Sequence, residues 1–269
     1  MLAPTLALVA LSASTLASPL QLPFLSPSSS PTSALVNSTS KPVHVALGVM
    51  SRCPDASLCE TVWDRVLEER LPTKFGSGVV ADLVDMELVF IAHEDSSAPY
   101  GATCMHGELE CKGNVQQLCA ARHWRAGSEG RKKKGVDGEA EATLAREKRA
   151  WEDSWNFVQC MNYGETSRIG SDAAAKRCAS VVGREWTDTL ASCVEGKEGR
   201  RLLVDSLERA ERLAVKSSCT ILIEDKPICI HDGSWKQCPG GHDVRDFARE
   251  VRDTFERLNS ERGVGADDE

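Results

Sequence analysis

Apolar and polar positions along the chain switch between a strand period and a helix period, and the switches mark out the elements. Val43 to Met50 (VHVALGVM) is apolar and β-branched, which predicts a buried strand. It runs through Ser51-Arg52-Cys53-Pro54-Asp55-Ala56 into Leu58 to Leu71, where Val62, Trp63, Val66 and Leu67 recur at helical spacing. Asp85 to Ala92 predicts a second strand, with Gly76 to Leu83 as its approach, and the polar His93 to Gly101, carrying Pro99, predicts a loop. Helical patterns follow over Ala140 to Cys160 (with Trp151, Trp155 and Phe157), Ser171 to Val182 and Trp186 to Val194. Arg200 to Lys216 gathers Leu202, Leu203, Leu207, Ala210, Leu213 and Ala214 on one side. Then Cys219 to Ile223 and Pro227 to Ile230 predict a hairpin joined at Glu224-Asp225-Lys226, without an Asn-Gly turn. Asp243 to Leu258 predicts a last helix, with Val244, Phe247, Val251 and Phe255 on its apolar face.

With the long middle segment set aside, the order strand, helix, strand, hairpin, helix is that of a thioredoxin-like fold. The expectation is an α/β protein: a mixed sheet flanked by helices over residues 42–259, with a disulfide-rich helical insertion, about 100–217, between the second and third core strands. This order puts Cys53 between the first strand and the first helix. There the partial positive charge of unpaired N–H groups favours a thiolate over a thiol.

Composition sets the compartment and removes some classes. Leu6 to Leu16 is apolar but shorter than the ~20 residues of a membrane helix, and Ala-Ser-Pro follows it, so residues 1–18 read as a signal peptide. Residues 19–41, rich in Ser and Pro, read as a flexible lead-in with a glycosylation acceptor at Asn37, and 260–269 as a disordered acidic tail. Arg131-Lys132-Lys133-Lys134, between glycines, reads as a solvated loop. A net charge of −8 argues against nucleic acid as a partner, and no later stretch is apolar enough to span a membrane. Eleven cysteines suit an oxidising route, secreted or into a lysosome or vacuole, and their odd number leaves at least one thiol outside the intrachain pairs.

Cys104 to Cys119 packs three cysteines, His106-Gly107, Glu110 and Asn114 into one short stretch, and either a disulfide-pinned loop or a metal site would explain that density. Cys104-x-His106-Gly107-x-x-Glu110-Cys111-x-x-Asn114-x-x-x-x-Cys119 resembles the signature of the gamma-interferon-inducible lysosomal thiol reductase (GILT) family. Phe157-Val158-x-Cys160-Met161 and Cys193-x-x-Gly196-x-x-Gly199-x-x-Leu202-Leu203 resemble two further segments of that family, in the same order. The resemblance implies reduction of protein disulfides without a cofactor, and makes Cys53 the nucleophile by position. It makes Cys104 to Cys119 an identifying feature, a pinned loop at the head of the insert.

Two departures stand out. The family's second catalytic cysteine is replaced by Ala56, and no proline precedes the third core strand, where Cys219 stands instead. Cys219 is therefore the candidate partner or resolver of Cys53. Cys59 is a weaker one, since six helical residues separate it by ~9 Å along the axis and a disulfide needs Cα atoms within about 7 Å. Cys229 and Cys238 form a candidate local disulfide. His106 reads as a structural hydrogen-bonder, and Glu108 and Glu110 as solvated or capping. Three functions remain open: a thiol-disulfide oxidoreductase acting on disulfide-containing proteins, with glutathione or another small thiol or Cys219 as resolver; a binding protein with purely structural cysteines; and a metal protein using Cys104, Cys111, Cys119 and His123, whose spacing is wider than the usual Cys-x2–4-Cys of zinc sites.

Overall fold

The computed structural model describes residues 40–125, 149–164 and 166–263, which belong to one compact unit. The signal peptide, most of the lead-in with Asn37, the basic run at Arg131 and residues 264–269 lie outside the described residues.

Five strands form the central sheet: β1 (Val43–Val49), β4 (Val84–Phe90), β7 (Thr220–Ile223), β8 (Lys226–His231) and β9 (Trp235–Lys236), in the order β4-β1-β7-β8-β9. β1 pairs with β4 in parallel, Val45 opposite Met86, and with β7 antiparallel, Val45 opposite Ile223. The fold is the expected thioredoxin-like one, with the insertion between the second and third strands of this core. The two-residue period of β1 sorts its side chains. Val43, Val45, Leu47 and Val49 join the main core, while Ala46 faces a smaller cluster with Val89, Ala210, Val215 and Leu222. Gly48 has to be glycine for space, since a Cβ there would lie 2.2 Å from Val215 Cγ1.

Helix α1 (Pro54–Glu68) lies on the main-core face with the last helix, α7 (Val244–Gly263), and Trp63 stacks on Phe247 at 5.7 Å. α1 starts four residues earlier than the apolar spacing predicts because Pro54 supplies a ready-made first helical residue. α7 continues past Leu258 to Gly263, so 260–263 are helix, not tail. Two small hairpins escape the apolar pattern: β2 (Arg70–Thr73) with β3 (Gly76–Val79), and β5 (His93–Glu94) with β6 (Ala102–Thr103). Both are too short and too exposed to show a buried stripe. At the β7–β8 turn, Glu224 and Asp225 have φ of 47° and 63°, so the backbone takes the left-handed form of a tight hairpin without the expected glycine.

The insertion consists of α2 (Glu108–Arg125), α3 (Glu152–Tyr163), α4 (Asp172–Val181), α5 (Asp188–Glu195) and α6 (Lys197–Arg212). Ser171 and Thr187 cap α4 and α5 through their hydroxyls. The insertion has its own core, in which Phe157 is held edge-on by Trp124 and stacked by Trp186. Five disulfides tie the described residues together: Cys59–Cys219, Cys104–Cys111, Cys119–Cys193, Cys160–Cys178 and Cys229–Cys238.

Candidate active site

β1 ends at Val49 and α1 begins at Pro54, and the four residues between them carry the candidate chemistry. Cys53 is the N-cap of α1, only 6% exposed, and is the free cysteine among the described residues. Its N–H donates to Met50 O at 2.9 Å and its carbonyl accepts from Ser57 N at 3.1 Å, which closes the loop into the first helical turn. Ala56, in the place of a second cysteine, is buried beneath it.

The expected pairing of Cys53 with Cys219 is not formed. Cys219 is bonded to Cys59, with Cα atoms 6.2 Å apart. The axial-rise argument that set Cys59 apart from Cys53 holds along the helix. What sequence spacing could not supply was the neighbour across the core: Cys59 is buried on the α1 face toward the sheet, where β7 begins. The Ser218–Cys219 peptide, directly before β7, is cis. Ser218 Oγ accepts from Met50 N at 3.1 Å, so the segment before β7 does lie against the Cys53 loop.

The signature stretch forms the other wall. It is not a loop over most of its length, because α2 starts at Glu108, and the Cys104–Cys111 disulfide pins only the turn before it. Asn114 Oδ1 accepts from Ser51 N at 3.0 Å, and Glu110 Oε2 accepts from Arg52 N at 3.3 Å. Glu110 carbonyl also accepts from Ser51 Oγ at 3.2 Å. Glu110 is therefore neither solvated nor a simple cap: it is fully buried, with His106 Nδ1 2.5 Å from Oε2 and His106 N donating to Oε1. His106 thus meets Glu110 through both its backbone N–H and its ring. Gly107 has a φ of 86°, which lets the chain turn into α2. Gly113 is needed for close approach, since a Cβ there would meet Ser51 Oγ at 2.8 Å. The Arg52 side chain donates to Ser167 O and His106 O.

A third wall was missed by sequence reasoning. Asp55 Oδ1 accepts from Gly233 N at 3.0 Å and lies 2.7 Å from His231 Nδ1, close enough for an ion pair though off the line of a hydrogen bond. His231 is buried, touches the Trp235 ring, and exchanges both backbone hydrogen bonds with Cys219. No motif links Asp55 to a residue so far along the chain, so only the fold reveals the pair.

The remaining cysteines are structural in position. Cys229 and Cys238 are joined, Cys160 pairs with Cys178 inside the insertion, and Cys119 pairs with Cys193. A metal centre on Cys104, Cys111, Cys119 and His123 lacks its thiolates, because all three cysteines are spent in disulfides. His123 instead faces Glu198, 3.3 Å away.

Set against known proteins, the chain matches the family described as gamma interferon inducible lysosomal thiol reductase (GILT) over residues 44–182, more than half its length, and it belongs to that family. The matched span contains Cys53 and the whole signature, and ends before Cys193 and Cys219. No curated protein matches it. Among solved structures it is similar to a thioredoxin-like oxidoreductase from Silicibacter pomeroyi DSS-3 (15% identity, 80% of this chain and 87% of that one, TM-score 0.42). It is also similar to α-DsbA1 of Wolbachia pipientis (13%, 86% and 94%, 0.45) and to MdbA, a thiol-disulfide oxidoreductase of Corynebacterium diphtheriae (12%, 80% and 86%, 0.46).

Proposed function

We propose that this member of a thiol reductase family acts on protein disulfides through one nucleophile, Cys53, in a lysosome, a vacuole or outside the cell. The observation that carries the reading is the state of the cysteines: ten are paired, and the free one stands at the helix N-terminus directly after β1. In the first step the Cys53 thiolate attacks one sulfur of a substrate disulfide; a mixed disulfide forms and the other substrate thiolate leaves. With Ala56 behind it and Cys219 held by Cys59, resolution falls to an external thiol such as glutathione. One glutathione thiolate attacks the Cys53 sulfur and releases the second substrate thiol. Another attacks the resulting glutathione adduct, freeing Cys53 and forming oxidised glutathione.

The burial of Cys53 supports a second reading, a thioredoxin-like binding protein that retains the thiol without turnover. Reduction of a disulfide protein by glutathione, with wild type and Cys53→Ser, separates the two. The reductase reading expects turnover that vanishes in the variant, and equal rates would remove Cys53 from the mechanism. Mass spectrometry after a glutathione disulfide pulse should show one adduct, on the Cys53 peptide.

A further inference from the structure

A cavity of about 430 Å³ lies between the outer edge of β4 and helices α2, α3 and α6. Its walls are mostly apolar, with Leu88, Leu118, Trp155, Val158 and Leu202 among them. Among the polar side chains that line it, Gln117 of α2 stands out. Gln117 is 3% exposed, and neither its amide oxygen nor its amide nitrogen has a hydrogen-bond partner. A buried amide with both ends unmet destabilises a fold, where an apolar side chain of the same size would not.

The strand beside it has one comparable gap, at Leu88. Ile91 N donates to Val49 O, so the odd-numbered residues of this stretch turn toward β1. The even-numbered ones turn outward: Val84 O accepts from Trp151 Nε1, Met86 O from Arg125, and Phe90 N donates to Ser206 Oγ. Leu88, the even-numbered residue between them, lines the cavity, and among the described residues nothing outside the sheet bonds its N–H or C=O.

We infer that this cavity binds an extended apolar segment of polypeptide, which adds to the outer edge of β4 at Leu88 and meets the Gln117 amide with its own backbone. The chemistry selects a peptide. An extended chain presents N–H and C=O groups in alternation, which is what an orphaned carboxamide and an open strand edge both lack. Its alternate side chains would enter the apolar walls. Arg125 of the lining is held by Asp85, but Arg122, exposed at the rim, favours an acidic residue at that end of the segment. That the segment belongs to a disulfide-bearing substrate rests on the reductase reading above; that the cavity takes a peptide does not.

The probe is a blocked tetrapeptide, acetyl-Leu-Val-Leu-Asp-amide, titrated into the full chain by calorimetry, beside the same peptide N-methylated at alternate residues. Saturable one-to-one binding is expected, weakened at least tenfold by N-methylation, which keeps the apolar surface but removes backbone donors. Gln117→Leu should weaken binding at least tenfold while raising the urea midpoint, because it removes the orphaned amide. If that variant does not fold, the N-methyl comparison on wild type still decides. No saturable binding, or equal binding of the two peptides, overturns the inference. So does tight binding of a small primary amide such as acetamide in place of the peptide. Cys53→Ser should bind the peptide as wild type does, so a failure of the reductase reading leaves this result standing, and the reverse.

Discussion

Glu60, on the buried face of α1, shows how one side chain sets a pH response. Burial pushes its carboxyl from 4.5 up to about 7, and the bond from Asn162 Nδ2, 2.6 Å to Oε2, only partly offsets this. The other oxygen, Oε1, has no partner. The folded chain keeps this proton over a range where the unfolded chain has lost it. The stability Glu60 contributes is therefore complete below pH 4.5 and is lost as the pH rises toward 7, by about 3 kcal/mol in all. Glu60→Gln should flatten that slope, so the difference in urea unfolding free energy between wild type and variant should change sharply between pH 4.5 and 7.5. A constant difference would show that Glu60 keeps its charge when folded. Glu110 is buried too, but its side-chain oxygens face the N–H groups of Arg52 and His106 and the His106 ring. Glu110→Ala leaves the N–H groups of Arg52 and His106 unmet, and should cost roughly 2–4 kcal/mol in urea unfolding. The sequence placed Cys53 correctly because its neighbourhood is local: a strand, a Cys-Pro step, a helix. It misjudged Glu110 because burial there depends on a loop more than fifty residues earlier. It could not see the Asp55–His231 pair for the same reason.

Among the elements, the disulfides divide by reach. Cys229 and Cys238 are nine residues apart, and their pairing was legible as a strand bridged to its following loop. Cys59 and Cys219 are separated by 160 residues, and only the packing of α1 against the start of β7 brings them together. Closing so long a loop restricts the unfolded chain most, by up to about 5 kcal/mol against about 3 for the 18-residue Cys160–Cys178 loop. Replacing both members of each pair by alanine should lower the thermal midpoint more for Cys59 and Cys219 than for Cys160 and Cys178. The reverse order would mean that the insertion core leans on its disulfide more than the sheet does. Helix periodicity was the most legible signal of all, because α4, α5 and α6 each bury one continuous stripe against their neighbours. The β2–β3 and β5–β6 hairpins were not, because each strand spans only two to four residues and buries little.

At the scale of the whole molecule, the sheet carries helices on both faces; the insertion packs on β4 through α6, and α2 holds the Cys53 loop. α7 covers the main core: Phe247 stacks on Trp63, and Phe255 meets Phe75 edge-on at 5.9 Å. Phe247→Ala should cost about 3–5 kcal/mol, read from guanidinium unfolding by tryptophan fluorescence. Because Trp63 and Trp235 both contact Phe247, the emission of the folded state should change as well. A loss below 1 kcal/mol would mean that the core closes without this helix.

The cradle around the Cys53 loop holds main chain. Asn114 and Glu110 receive the N–H groups of Ser51 and Arg52, and Ser218 receives that of Met50. None of these bonds involves the side chain at position 56, so that residue can change while the loop keeps its shape. The missing thiol is then one codon away, not one fold away. Ala56→Cys should restore a vicinal dithiol in a cradle already shaped for it, seen as disappearance of the single titratable thiol under oxidising conditions and its return as two on mild reduction.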